Sequence, residues 1–321
     1  MQFPQTSNHY FDKLKMAEIE HISNSKVGQN RRYLQLQPGK LDGNLTEIKL
    51  DGVILLREQL NASVQIEGAP PENFFPLAIV LGGTAGMRFC GSEFEGNNLL
   101  QATGSEWSVR FNENIDYVGC ILDKAILAKN TECLRGHSVL PQWFVSRACR
   151  VQPETIGNYQ CWLRKTLLLL EQQPTLLQLP DIRRMLSGQM FQLVINMLCS
   201  TQDYQQPLMP QSRRLTGVHR VVDFLKTHAS HLPTMAELCT VAQLSERSLE
   251  YGFKEQFGVT PVRYVKLVRL NGVRQDLSAS DPKFTKVVDI ALRWGFVEFG
   301  RFAGEYSRLF KELPSHTLRQ A

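Results

Sequence analysis

Cysteine, histidine and glycine are the residues through which this chain could do metal or covalent chemistry, and their spacing withholds it. Seven cysteines, Cys90, Cys120, Cys133, Cys149, Cys161, Cys199 and Cys239, are scattered without a single C-x-x-C pair. That spacing suits reduced, mostly buried thiols better than a zinc site or a disulfide framework. No histidine occurs between His21 and His137, so a strand-rich region there lacks the imidazoles of a metal-binding barrel. G-x-S-x-G and H-E-x-x-H are missing, and Gly82-Gly83-Thr84 has neither the lysine nor the spacing of a phosphate loop. The expectation is recognition and not catalysis: no enzyme, no cofactor and no metal.

What the chain does offer is basic side chains, unevenly placed. From Arg213 onward there are 17 Lys and Arg against 11 Asp and Glu, whereas everything before carries 19 against 20. The basic excess sits in the last third, as expected if that part alone meets a polyanion. At 321 residues, with 43% apolar content, the chain has room for two domains with a core each. Its best apolar run, Leu163 to Leu170, is broken by Arg164 and Lys165 and falls short of the roughly 20 residues a membrane helix needs. MQFPQTSNHYFDKLK has no basic start followed by an apolar block, so a cytoplasmic location without a membrane partner is expected.

The elements that must position these residues change character along the chain. Residues 1–30 are polar and aperiodic, an arm that is mobile or docked. From Asn44 to Leu122 the runs NLTEIKL, VILLRE, FFPLAIVL, MRFCG, WSVRF and YVGCIL are separated by glycine turns, predicting an antiparallel barrel or sandwich. Asp123 can cap a short helix through Glu132, and longer helices follow from Pro153 to Glu171 and from Asp181 to Cys199. Residues 31–200 are expected to form one domain, the Gln- and Pro-rich stretch 201–213 a linker, and residues 214–321 a second, all-helical domain.

In that last part, Val221, Val222 and Leu225 share one face of a helix. Thr234 can cap another carrying Met235, Leu238 and Val241; the chain turns at Gln243-Leu244, and Ser245 can cap a third with Leu249 and Phe253 facing inward. Helix, tight turn and capped helix is the helix-turn-helix pattern. It recurs: Val287, Ile290, Ala291 and Trp294 line one helix, Gly295 supplies the turn, and Val297 to Phe310 forms the next. Pro261 to Leu277 joins the two units as a helix of roughly 24 Å at about 1.5 Å per residue. Gly272 is expected to interrupt it.

FKEQFGVTPVRYVKLVRLNGVRQDL followed by DIALRWGFVEFGRFAGEYSRLFKELPSHTLRQ resembles the signature of the AraC/XylS family of transcription regulators over about residues 216–320. The words GRFAxEY and ELPSxTLRQ are similar to the XylS branch. The resemblance implies that each unit lays its second helix in the major groove, the pair reading adjacent grooves on one face of double-stranded DNA. Carried over position by position, it implies base contacts from Arg247, Glu250 and Tyr251 on the first reading helix, and from Phe299, Gly300, Arg301 and Gly304 on the second. Arginine can take guanine O6 and N7 together, glutamate can accept from cytosine N4, and tyrosine can pack on a thymine methyl or reach a phosphate. Glu250 can equally hold Lys254, and Phe299 can equally be core. Phosphate contacts are expected from Lys254, Arg269, Arg274, Lys283 and Arg308. The chain departs from the family at Gln243, where a turn glycine is common, and at Val297, which offers no oxygen to cap the second reading helix.

The strand-rich part with its helices is similar to the small cupin-like barrel and helical appendage such regulators use for effector binding and dimerisation. The expected fold is therefore α+β in two domains: a cupin-like β-barrel with helices, then an all-α double helix-turn-helix. LQLQPGKLDGNLTEIKLDGVILLREQL resembles, more weakly, the corresponding stretch of ethanolamine-utilisation regulators. A pocket lined by Phe75 and Trp107, with Arg57 or Arg110 to meet an acidic or polar group, would suit a small effector; each of the four can also be ordinary packing or surface. The resemblance implies a homodimeric, effector-responsive activator working with RNA polymerase. The alternative is a regulator whose N-terminal domain answers to a protein partner.

Overall fold

The computed structural model describes residues 10–15, 31–69, 72–83, 86–94, 96–102, 106–112, 114–139, 141–144, 147–201, 212–228 and 232–320. The chain divides into two compact units, one comprising Met1–Ala17, Asp42–Asn61 and Glu67–Pro207, the other Glu18–Leu41, Ala62–Ile66 and Leu208–Ala321. Strands are numbered along the chain, so β1 (Phe11–Lys15) belongs to the first unit, β2 (Arg31–Gln35) to the second, and β5 (Val64–Gly68) to the second through Ile66.

In the first unit, β1, β3 (Gly43–Leu50), β4 (Val53–Leu60), β6 (Phe74–Gly83), β9 (Asn98–Gln101), β11 (Ile115–Asp123) and β12 (Arg147–Arg150) make one antiparallel sheet in the order β1-β3-β4-β11-β6-β9-β12. A ribbon of β7 (Met87–Phe89), β8 (Ser92–Phe94) and β10 (Trp107–Phe111) has β7 in the middle. Because side chains alternate across a sheet, Val53, Leu55, Phe75, Leu77, Ile79, Val118, Cys120 and Leu122 share one buried face. Three helices follow: α1 (Lys124–Arg135), α2 (Pro153–Gln172) and α3 (Pro180–Ser200). Tyr159, Leu163 and Leu167 of α2 and Met190, Val194 and Leu198 of α3 join that sheet face in one core. Asp123 caps α1 as expected, its carboxylate accepting from the Ile126 amide at 2.9 Å.

The sheet does not rejoin itself; β1 and β12 are its edges. The expected cupin-like barrel is thus an open sheet among the described residues. Its apolar face is buried by helices, which removes the need to bury it by closure. The cysteines also depart from expectation: Cys120 and Cys149 are buried, but Cys133, Cys161 and Cys199 are exposed. Of the expected arm, Phe11–Lys15 form β1, and residues 1–9 and 16–30 lie outside the described residues.

The second unit is built from α4 (Arg213–Thr227), α5 (Met235–Ala242), α6 (Glu246–Phe257), α7 (Pro261–Ser278), α8 (Val287–Arg293), α9 (Phe299–Phe310) and α10 (Pro314–Arg319). Most of the expected linker, residues 202–211, lies outside the described residues. Residues 31–41 and 62–66 cluster with these helices, although the sequence division gives all of 31–200 to the other domain. Leu36 is buried in the helical core. The Gln35 amide donates to Asn271 Oδ1 at 3.0 Å and Asn271 Nδ2 donates back to Gln35 O at 3.1 Å. Gln35 Nε2 also donates to Leu309 O at 3.1 Å, and the Gly39 amide reaches the same oxygen at 2.9 Å. A polar residue in an alternating stretch thereby ties the middle of α7 to the end of α9.

Helix α7 runs through Gly272 without interruption. The glycine is there for packing: a Cβ at this position would lie 2.0 Å from Trp294 Cη2. Gly272→Ala is expected to lower stability by about 1–3 kcal/mol in denaturant unfolding, because overpacking outweighs the better helix propensity of alanine. A neutral or stabilising result would show that Trp294 yields freely.

Candidate nucleic-acid interface

The first hairpin is fixed by local hydrogen bonding. Thr234 and Glu237 form a capping box at the start of α5: the Glu237 amide donates to Thr234 Oγ1 at 3.2 Å, and the Thr234 amide donates to Glu237 Oε2 at 2.7 Å. Gln243 then takes a left-handed conformation with φ of 55°, the geometry for which glycine is common at this point. Arg220 Nη1 donates to Gln243 Oε1 at 2.6 Å, giving the non-glycine residue a partner. Ser245 caps α6 through the Ser248 amide.

Leu249, Gly252, Phe253, Gln256 and Phe257 of α6 are buried, and Phe253, Phe257 and Tyr264 stack into an aromatic cluster. The opposite face presents Arg247, Tyr251 and Lys254 to solvent, with Glu250 half-buried. Arg247 lies over the Tyr251 ring at 5.8 Å, and Arg214 approaches it at 6.0 Å. Both distances lie at the outer edge of cation–π range, and Arg214 also lies 3.5 Å from Glu255.

The second hairpin turns at Gly295, whose φ is 71°, with the Phe296 amide donating to Ala291 O at 2.9 Å. Reading helix α9 starts at Phe299, two residues later than expected, and its N-cap Glu298 makes no side-chain capping bond. Phe302, Tyr306, Leu309 and Phe310 face the core. Phe299, Gly300, Arg301 and Gly304 are exposed, and a Cβ on either glycine would meet nothing within 4 Å. The backbone of α9 is therefore open to close approach along its outer face. Arg301 alone among these four can hydrogen-bond a base edge with its side chain.

Two of the expected phosphate ligands are elsewhere. Arg269 is buried, its Nε donating to Trp294 O at 2.6 Å and its guanidinium lying 4.2 Å from the Phe296 ring centre. Burial pushes its pKa down, against the pull of Glu305. Arg274 is also buried, 3.1 Å from Glu312 and over the Phe310 ring. A basic residue on an amphipathic joining helix reads as a phosphate ligand until the packing of the second hairpin around it is known. Lys254, Lys283 and Arg308 are exposed and remain available to a polyanion. Two further residues were not singled out in the sequence, Lys266 and Glu305, which form a 2.8 Å ion pair between α7 and α9; nothing local marks an ion pair 39 residues apart.

In the first unit, Arg57 is engaged on both edges: Nε and Nη2 donate to Asp116 at 3.0 and 2.7 Å, and Nη1 to Glu171 at 3.2 Å. Phe75 is fully buried on the helix-covered face and meets Phe144 edge-on. Trp107 and Arg110 lie on β10, both partly exposed, and Arg110 stands directly across from Arg88 of β7. Burial, and then the Arg88 charge, hold the Arg110 pKa below its ordinary value. The four do not converge: Arg57 and Phe75 sit on the sheet, Trp107 and Arg110 on the ribbon. Among the described residues, no group of three or more His, Cys, Asp or Glu side chains is arranged to hold a metal, and no helix is long and apolar enough to cross a membrane.

Two helix-turn-helix hairpins sharing one joining helix, each with an exposed second helix, define a DNA-binding regulator. Residues 238–320 match the family described as a helix-turn-helix domain. The chain is 40% identical over 124 residues to the probable thc operon regulatory protein of Rhodococcus erythropolis, covering 38% of this chain and 37% of that protein. It is 25% identical over 285 residues to XylDLEGF operon transcriptional activator 1 of Pseudomonas putida, covering 88% of this chain and 86% of the activator. A solved structure, a probable AraC family transcriptional regulator from Rhodopseudomonas palustris CGA009, is 31% identical over 33% of this chain and 96% of that one, with a TM-score of 0.31. These matches support a DNA-binding transcription regulator of the AraC/XylS type.

Buried and exposed arginines should separate cleanly in solution. Arg269→Ala is expected to cost about 1.5–3 kcal/mol of folding stability, through the lost charged hydrogen bond, and to leave the salt dependence of DNA binding almost unchanged. Lys254→Ala is expected to do the reverse, lowering the salt slope by about one with little effect on unfolding. Equal effects on both readouts for both variants would mean the two residues are not partitioned as described.

Proposed function

We propose that this regulator reads its operator with α6 and α9 in two adjacent major grooves, and that a small molecule bound by the first unit controls activation of transcription. The observation that carries the DNA part is the exposure of Arg247, Tyr251, Lys254, Phe299, Gly300, Arg301 and Gly304 on the outer faces of two helices whose inner faces are buried. Glu250, half-buried on α6, completes the first head. Discrimination is shared unevenly. The first head offers three polar side chains to base edges, and the second depends on Arg301, with close backbone approach at its two glycines.

For the effector, the support is the pair Arg88 and Arg110. Like charges directly opposite in an antiparallel ladder repel, and Glu93 lies only 2.5 Å from Arg88 on the other side. The two guanidinium groups put positive charge on one face of the ribbon, while Trp107, three residues before Arg110 on β10, lies on the opposite face. A small carboxylate is the matching chemistry. Arg57 and Phe75, already committed to Asp116, Glu171 and the core, serve this reading as supports for the sheet. The regulator acts in the cytoplasm as a homodimer alongside RNA polymerase. Leu168, Leu169 and Met185, exposed on α2 and α3, supply apolar surface for a second subunit. The names of the two relatives, an operon regulator and an operon activator, support regulation of an operon.

Purified protein is expected to retard DNA from upstream of the operon it controls, and Arg301→Ala to lose about 1–3 kcal/mol at one base pair. Equal loss on all sequences would contradict base reading by Arg301. A thermal-shift series of small carboxylates on the full chain is expected to yield at least one stabilising compound whose effect disappears in Arg110→Ala. No stabilisation by any compound, with a specific protein recovered instead, would favour control by a protein partner.

A further inference from the structure

We propose that Glu305 is a positioning residue for base reading by Arg301, anchored from the joining helix by Lys266. The inference rests on Arg301 being a base reader, as proposed above. Glu305 lies one helical turn after Arg301 on α9, and its side chain is 15% exposed against 66% for Arg301. One carboxylate oxygen, Oε1, accepts from Lys266 Nζ at 2.8 Å and from Arg301 Nε at 3.4 Å. Burial pushes the Glu305 carboxyl up, but Lys266 and Arg301 outweigh burial and hold its pKa below the ordinary value. Glu298 also approaches Arg301, at 3.6 Å from Nη1, but it is 70% exposed, where water and salt compete for it. The two carboxylates are therefore unequal: Glu305 is fixed to the body of the unit, and Glu298 is not.

The consequence for recognition follows from the shape of the guanidinium. An exposed arginine must surrender rotamer freedom when it docks on a base, and one restrained beforehand surrenders less. A grip on Nε leaves Nη1 and Nη2 to meet O6 and N7 of a guanine as a planar fork. A carboxylate beside a DNA-facing helix also repels phosphates, so it weakens binding to any sequence. Positioning and mere structural support thus predict opposite effects on non-specific DNA when Glu305 is removed.

The test uses the full chain, its operator, and operator variants at the base pair that Arg301→Ala makes indifferent, alongside random-sequence DNA. Glu305→Ala and Lys266→Met are each expected to reduce discrimination at that pair by about tenfold, with no further loss in the double variant, because both act through one chain of contacts. Glu305→Ala is also expected to bind random DNA more tightly. Glu305→Gln, which keeps an acceptor for Arg301 Nε, is expected to retain most of the discrimination. Thermal unfolding identifies any variant that fails to fold; Lys266→Met then carries the test, since it leaves α9 untouched. Uniform loss at all base pairs, or undiminished discrimination at the Arg301 pair, overturns the positioning role. If Arg301→Ala itself shows no pair-specific loss, base reading by Arg301 is what fails, and the positioning role falls with it.

Discussion

Helix α7 is buried along nearly its whole length, and both reading heads are built on it. Leu267, Leu270, Val273 and Leu277 are fully buried in one core that also holds Leu249 and Phe253 of the first hairpin and Ile290, Phe302 and Tyr306 of the second. At 18 residues the helix spans about 27 Å, somewhat less than the roughly 34 Å of one turn of DNA. A continuous apolar core around a stiff helix leaves the heads little freedom to move independently, because packed interiors do not deform continuously. Gly272 lets Trp294 come within contact of the α7 backbone, and Arg269 then holds the carbonyl of that same tryptophan. The turn of the second hairpin is thus tied to the joining helix at backbone level.

Charge is divided according to that packing. Arginines on α7 that face inward become parts of the fold, with Arg274 paired to Glu312 and Glu312 in turn accepting from Thr317, whose hydroxyl shares a hydrogen bond with Tyr306. Basic groups on the outer faces of α6 and α9, Arg247, Lys254, Arg301 and Arg308, stay exposed. The same logic separates the two heads. On α6, the arginine lies over a tyrosine ring one turn on, and on α9 restraint of the arginine falls to a carboxylate held from α7.

Much of the helical unit is legible in the sequence because its signals are local. Caps at Thr234 and Ser245, the turn at Gly295 and apolar spacing along α7 mark the helices within a residue or two. Periodicity likewise gives the central strands and the helices of the first unit. What was not legible is long-range. Gln35 and Leu36 reach the helical core from more than 230 positions upstream of Asn271, and no pattern in LQLQP announces it. Arg269 and Arg274 read as surface charges because their acceptors, Trp294 O and Glu312, come from the second hairpin and the turn that follows it. The barrel expected from strand spacing proved open, since spacing says nothing about whether helices will cover a sheet face.

The most direct test of a fixed pair of reading heads is to change the DNA and leave the protein alone. Base pairs are inserted between the two segments of the operator contacted by α6 and α9, and specific affinity is measured at each spacing. With both heads held on one buried helix, affinity is expected to fall to the non-specific level with one or two added base pairs, and to stay there when about ten are added and the helical face is restored. Recovery at that full turn would contradict the account, because it would mean the heads can separate and α7 does not set their distance.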